Sequence, residues 1–158
     1  MQNPIAGLDL KILQQLQEDA SLTAAELADR IGLSQSPCWR RVNRLEEAGY
    51  IQKRVAILDA EKLGMEVVVF CSVSLSAHGR RSLEEFEVAV EQLPEVTECY
   101  TMTGSMDYML KIVTKDIRHY EQFVRTFLSH MPGIQGIHSN VAVTKIKNTT
   151  SLPLSTQL

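Results

Sequence analysis

The sequence predicts an α+β chain in two parts. Residues 1–62 form a winged helix-turn-helix with a linker, and residues 63–158 form a ferredoxin-like βαββαβ sandwich. Three observations predict it. Up to about Lys62 the apolar residues recur at helical spacing, with one short extended piece at the end. From about Met65 onward, strand-like alternation and helical periodicity take turns. No low-complexity linker and no internal repeat interrupts either part.

The first helix is expected from about Leu8 to Glu18, with Leu8, Ile12, Leu13 and Leu16 on one side and Lys11, Gln14 and Gln15 facing away. The second begins at a capping box: the Thr23 hydroxyl can accept from the N–H of Glu26, whose carboxylate can reach back to Thr23. Leu27, Ala28 and Ile31 make its apolar side, and Gly32 stops it. The third helix starts almost at once. Ser34 is its expected cap, and Pro37 is tolerated in a first turn, where an N–H has no intrahelical partner. Cys38, Val42 and Leu45, at i, i+4 and i+7, should pack on the first two helices. After Gly49, the weak alternation of Ile51, Val55 and Ile57 predicts a short wing strand over Tyr50 to Leu58.

Two helices joined through a glycine-containing turn can lay the second in the major groove of duplex DNA. Overall charge does not advertise such a role, because the chain carries a formal net charge of -3. The local balance does. Between Gln35 and Arg54, five basic residues (Arg40, Arg41, Arg44, Lys53, Arg54) stand against Glu46 and Glu47. Ser34, Gln35, Ser36, Trp39, Arg40 and Asn43 lie at the helix start, off the apolar stripe, where Arg and Asn can bond guanine and adenine edges. Arg44, Lys53 and Arg54 are better placed for phosphate, which adds affinity without reading sequence. An ordinary solvated helix face is the competing reading of these charges. Trp39 suits groove contact or packing at a domain seam equally, and Arg41 suits an internal ion pair beside the wing as well as DNA.

The second part opens with a strand over Val67 to Ser76, which places Cys71, Val73 and Leu75 on one face and Ser72, Ser74 and Ser76 on the other. A helix from about Arg81 to Leu93 follows, with Leu83, Phe86, Val90 and Leu93 on one side, and Pro94 ends it. Strands over Val96 to Met102 and Tyr108 to Thr114 flank Thr103-Gly104-Ser105-Met106. A helix from Ile117 to His130 should bury Tyr120, Phe123, Val124, Phe127 and Leu128, before Pro132-Gly133 and a last strand over Ile137 to Ile146. That order gives an antiparallel sheet with two helices on one face; a second copy of the chain would cover the other. The tail from Asn148 reads as loosely ordered.

Other function classes find little support. Cys38, Cys71 and Cys99 are too widely spaced for a zinc or redox motif and read as small buried thiols. His78, His119, His130 and His138 lack metal-ligand spacing, no nucleophile motif or phosphate loop is present, and no cofactor is expected. An enzyme is therefore disfavoured, as is an adaptor that uses a winged helix without DNA, because of the basic helix and wing. Met1 to Leu10 shows no signal peptide, and the apolar run Val67 to Cys71 is too short for a bilayer, so a soluble cytoplasmic protein without membrane contact is expected.

Several runs together resemble the Lrp/AsnC (feast/famine) regulators across nearly the whole chain: LDLKIL at 8–13, LSQSPCWRRV at 33–42, LEEAGYI at 45–51, TGSMDY at 103–108 and KNTTSLPL at 147–154. The resemblance implies a winged helix-turn-helix joined to a ferredoxin-like effector domain (the RAM domain), and a transcriptional regulator of double-stranded DNA. It implies dimers that associate further, often to octamers, and a small effector, commonly an amino acid. It also implies an effector pocket where effector domains of neighbouring dimers meet, around Thr103, Gly104, Ser105, Met106, Asp107 and Tyr108, with His138, Ser139 and Asn140 from the last strand. Amides around Gly104 can hold an α-carboxylate and Asp107 an α-ammonium; a turn-capping role for Asp107 is the alternative.

Overall fold

A computed structural model describes Ile5 and residues 7–76, 79–131 and 133–154. His78 and Pro132, discussed above, lie outside the described residues. The chain divides into two compact units, Met1–Ile57 with Lys147–Leu158, and Leu58–Ile146. The division differs from the expected one at both ends. The boundary falls at 57/58 rather than 62/63, and the C-terminal segment joins the first unit.

In the first unit, α1 (Gly7–Glu18), α2 (Ala24–Ile31) and α3 (Gln35–Glu47) enclose a core of Ile12, Leu16, Leu22, Leu27, Ala28, Cys38, Val42 and Leu45. The capping box forms as expected. The Glu26 N–H donates to the Thr23 hydroxyl, and the Glu26 carboxylate accepts the Thr23 N–H at 2.8 Å. Gly32, at φ 73°, then turns the chain so that the Leu33 N–H reaches the Ala28 carbonyl, which sets α3 across α2. Ser34 takes the extended N-cap conformation, but its hydroxyl makes no cap bond. On α1 the buried set is Asp9, Leu10, Ile12 and Leu16, with Leu8 and Leu13 only half-buried. Up to Leu154 the tail is held rather than loose: the Gln17 amide bonds the backbone of Leu152 in both directions, and the Gln14 amide donates to the Leu154 carbonyl.

No strand forms over Tyr50 to Leu58. Tyr50 and Ile51 pack on the first unit's core, but Val55, Ile57 and Leu58 are exposed, and among the described residues of this unit no second strand lies to share a ladder. An isolated strand gains nothing over hydration of its backbone.

The second unit is a four-stranded antiparallel sheet in the order β2-β3-β1-β4, from β1 (Val67–Leu75), β2 (Val96–Thr101), β3 (Tyr108–Thr114) and β4 (Ile134–Val141). This is the ferredoxin-like arrangement. Helices α4 (Gly79–Glu91) and α5 (Ile117–Thr126) lie on one face. Val69, Cys71, Val73, Tyr108, Leu110 and Ile112 from the sheet meet Phe86, Val90 and Leu93 beyond α4's start, and Tyr120, Phe123 and Leu128 beyond α5's. Strand β4 starts and ends earlier than expected, the last expected helix gives way to a 3-10 turn at Leu128–His130, and Leu83 and Phe127 are exposed. Cys99 is exposed too, because β2 is the sheet's edge, whereas Cys38 and Cys71 are buried. The opposite sheet face carries Phe70, Ser72, Met109, Lys111 and Tyr100, set side by side by the registers Phe70↔Lys111, Ser72↔Met109 and Tyr100↔Met109. Phe70 and Tyr100 are exposed there.

Candidate nucleic-acid interface and effector loop

The first site is the outer side of α3. Because Cys38, Val42 and Leu45 point inward, helical geometry turns Ser36, Arg40 and Asn43 outward along one stripe, with Gln35 and Trp39 beside it. Trp39 is 53% exposed, and Ser34, Gln35, Ser36 and Arg40 are exposed; Asn43 is half-buried. Arg40 and Lys53 make no hydrogen bond or ion pair among the described residues, which leaves both cations uncommitted.

The other three cations of this stretch are committed. One Arg41 Nη donates to Asp9 Oδ1 at 2.9 Å, and one Arg44 Nη to Asp9 Oδ2 at 2.6 Å. Arg54 bonds Glu46 at 2.9 Å and the Ala20 carbonyl at 3.3 Å. Arg44 and Arg54, expected at phosphate, each hold a carboxylate of the same chain through one Nη, while their side chains stay exposed. Arg41 makes the internal pair that the sequence left open, with α1 rather than beside the wing. Asp9 itself escaped the sequence reading, since a carboxylate next to Leu8 reads as solvated and its partners lie 32 and 35 residues away.

The second site is the loop between β2 and β3. It is closed by the Met102 N–H on the Asp107 carbonyl at 2.8 Å, and the Asp107 N–H donates to the Val73 carbonyl at 2.9 Å. One carboxylate oxygen of Asp107 accepts the Leu75 N–H at 2.6 Å. Asp107 therefore does anchor the turn; its other oxygen has no partner among the described residues. Gly104 sits at φ 125°, a left-handed conformation that a Cβ disfavours. Between the two anchors, the N–H groups of Thr103, Gly104, Ser105 and Met106 have no acceptor among the described residues.

The remaining expected effector residues are not brought together. The Tyr108 side chain enters the core instead of the loop. It packs on Phe86 in a tilted arrangement, ring centroids 4.6 Å apart and planes at 40°, and donates to Glu87 at 2.6 Å; burial first, and that bond second, push its phenol pKa up. Ser139 pairs with Cys71 in β4–β1 and bonds the Tyr120 hydroxyl on the helix-covered face. His138 and Asn140 pair with Ser72 and Phe70 and share the opposite face. Strand alternation, available in the sequence, would have separated them. A groove of about 560 Å³, lined by Met65, Pro94, Val113, Lys115, Phe123 and Phe127 among others, lies away from all of these residues. Among the described residues no group of His, Cys, Asp or Glu is placed to hold a metal, and no helix is long and apolar enough to cross a membrane.

Family models match both units: a winged helix-turn-helix DNA-binding model over residues 6–52, and an Lrp/AsnC ligand binding domain over residues 68–152. The chain belongs to the Lrp/AsnC family of transcriptional regulators. It is 42% identical over 146 residues to the transcriptional regulator AzlB of Bacillus subtilis, covering 92% of this chain and 93% of that one. It is equally identical over 147 residues to the Bkd operon transcriptional regulator of Pseudomonas aeruginosa, covering 93% and 96%. A crystal structure of a transcriptional regulator from Neisseria meningitidis in complex with L-Met superposes with a TM-score of 0.92 at 37% identity, over 100% of both chains. This Lrp/AsnC protein is accordingly a DNA-binding regulator with a ligand-binding domain, and not an enzyme.

Proposed function

We propose that this regulator reads duplex DNA with α3 and takes an amino acid at the loop 102–107. In this reading Arg40 and Asn43 meet base edges, Ser34, Gln35, Ser36 and Trp39 line the groove, and Lys53 grips phosphate. The α-carboxylate of the effector sits on the amides of Thr103 to Met106, and its α-ammonium meets the Asp107 oxygen that does not bond Leu75. His138 and Asn140 approach the effector from the opposite sheet face of a neighbouring copy. The observation that carries the reading is the loop itself: four successive amides without acceptors among the described residues, beside a carboxylate with one oxygen likewise unpartnered, on a double anchor. The Neisseria relative's L-Met complex supports the effector class.

The exposed Phe70 and Tyr100 on the sheet face of the second unit, with Val143 and Ile146, supply apolar surface that a second copy covers. A dimer then presents two α3 helices to successive major grooves, and dimers assemble further, up to octamers. The work takes place in the cytoplasm, where DNA and free amino acids meet. The test is a thermal-shift screen against the twenty amino acids, since a ligand of the native state raises the melting temperature. A hit that is lost in Gly104→Val, while duplex binding persists, supports the loop. A hit that survives Gly104→Val moves the site elsewhere, and the 560 Å³ groove becomes its place.

A further inference from the structure

Five cations stand between Gln35 and Arg54, yet two of them converge on one carboxylate that lies outside that stretch. The Asp9 side chain is only 4% exposed, while those of Arg41 and Arg44 are 32% and 61% exposed. Each carboxylate oxygen holds one guanidinium, so Asp9 has both oxygens engaged by charge-assisted bonds. An arginine that left to grip a phosphate would strip a buried carboxylate of a partner, which opposes its departure. We infer that Asp9 is a positioning residue that withholds Arg41 and Arg44 from the phosphate backbone, so that the first unit approaches DNA with Arg40 on α3 and Lys53 just beyond it as the cations without a partner among the described residues.

The consequence is a regulator with fewer phosphate contacts than its basic residues would allow. Non-specific binding comes almost wholly from such contacts, whereas base reading does not. Restraining two arginines lowers affinity for arbitrary DNA and leaves the bidentate donor of Arg40 to discriminate. A clamp that merely pins α3 to α1 has no such effect on charge, and the salt dependence of binding tells the two apart. The inference rests on the proposed reading that α3 faces the duplex; Lys53→Ala is the control for that reading and must flatten the salt dependence.

The experiment measures binding of the full chain to a 30-base-pair duplex of mixed sequence by fluorescence anisotropy between 50 and 300 mM salt. Each phosphate contact contributes about 0.9 to the slope of log K against log salt. Arg41→Gln and Arg44→Gln should each leave the wild-type slope unchanged. Asp9→Asn, checked for folding by circular dichroism, should steepen it by up to about 0.9 per freed arginine and protomer, and tighten binding at 50 mM salt. Slopes that flatten by about 0.9 in either arginine variant would overturn the inference, as would a folded Asp9→Asn protein with the wild-type slope. If Asp9→Asn does not fold, the two arginine variants decide alone. A wild-type salt slope in Lys53→Ala would instead contradict the proposed DNA-binding face itself.

Discussion

Replacing Arg40 by alanine separates base reading from folding, because this side chain is exposed and has no partner among the described residues. Stability should change by no more than about 0.5 kcal/mol, as for surface sites without special contacts. Binding should change by much more. A bidentate arginine–guanine contact carries about 1–3 kcal/mol of discrimination, so each half-site should lose about 5- to 150-fold in affinity for a preferred sequence. A duplex selected from a random pool by the wild-type protein supplies the preferred sequence, and a scrambled duplex supplies the reference. The ratio between them, read by anisotropy at fixed salt, should collapse in Arg40→Ala, while its salt slope stays near wild type. Lys53→Ala should do the reverse, weakening both duplexes alike and lowering the slope by about 0.9 per protomer. An unchanged ratio in Arg40→Ala would refute the placement of this residue at base edges. An equal loss on both duplexes with a lower slope would turn it into a phosphate contact.

Three further outcomes follow from the packing. Thr23→Ala removes the reciprocal bonds at the start of α2 and should cost about 0.5–2 kcal/mol in urea unfolding; no loss would deny the capping box a role in stability. A Cβ on Gly136 would stand 2.8 Å from Ser74 Oγ on the paired strand. Gly136→Ala should therefore destabilise the second unit by about 1 kcal/mol, and the double variant with Ser74→Ala should recover most of it; strictly additive losses would contradict the clash. Stability should also fall as pH rises above 10. Burial holds the phenol of Tyr108 above its ordinary value and that of Tyr120 at about 12, so the unfolded chain releases these protons first. The advantage of the folded state is complete below pH 10 and is lost through the folded pKa values. Melting temperatures between pH 9 and 11 should fall less steeply in Tyr108→Phe and Tyr120→Phe, and equal slopes would contradict the burial argument.

Local signals were legible and long-range ones were not. Thr23, Glu26 and Gly32 lie within one turn of their partners, so residue type and spacing announce the α2 start and stop. The i, i+4, i+7 placement of Cys38, Val42 and Leu45 likewise gives the inner face of α3, and with it the outer face that carries Arg40. The strand order of the second unit follows from its alternating elements, since β1 must pair with both β3 and β4 for the sheet to close over two helices. Asp9 was illegible because its burial depends on arginines brought in by tertiary packing. The docking of Leu152 and Leu154 on Gln17 and Gln14 was hidden for the same reason, as it joins the two ends of the chain. The expected wing strand differs in kind: its alternation is real, but a strand needs a neighbour, and the described residues of this unit supply none. At the effector loop, Gly104 and Asp107 were visible as turn residues. Strand parity also tells Ser139 from His138 and Asn140, since alternate residues face opposite sides of the sheet.

The most direct test of the account is the coupling between its two ligands. Affinity for the selected duplex is measured by anisotropy with and without the amino acid found by thermal shift, and affinity for that amino acid is measured by calorimetry with and without the duplex. The account predicts that each ligand changes the other's affinity by the same factor, on the order of 5- to 150-fold, because thermodynamic linkage is reciprocal. Two independent affinities, each unaltered by the other ligand, would contradict it.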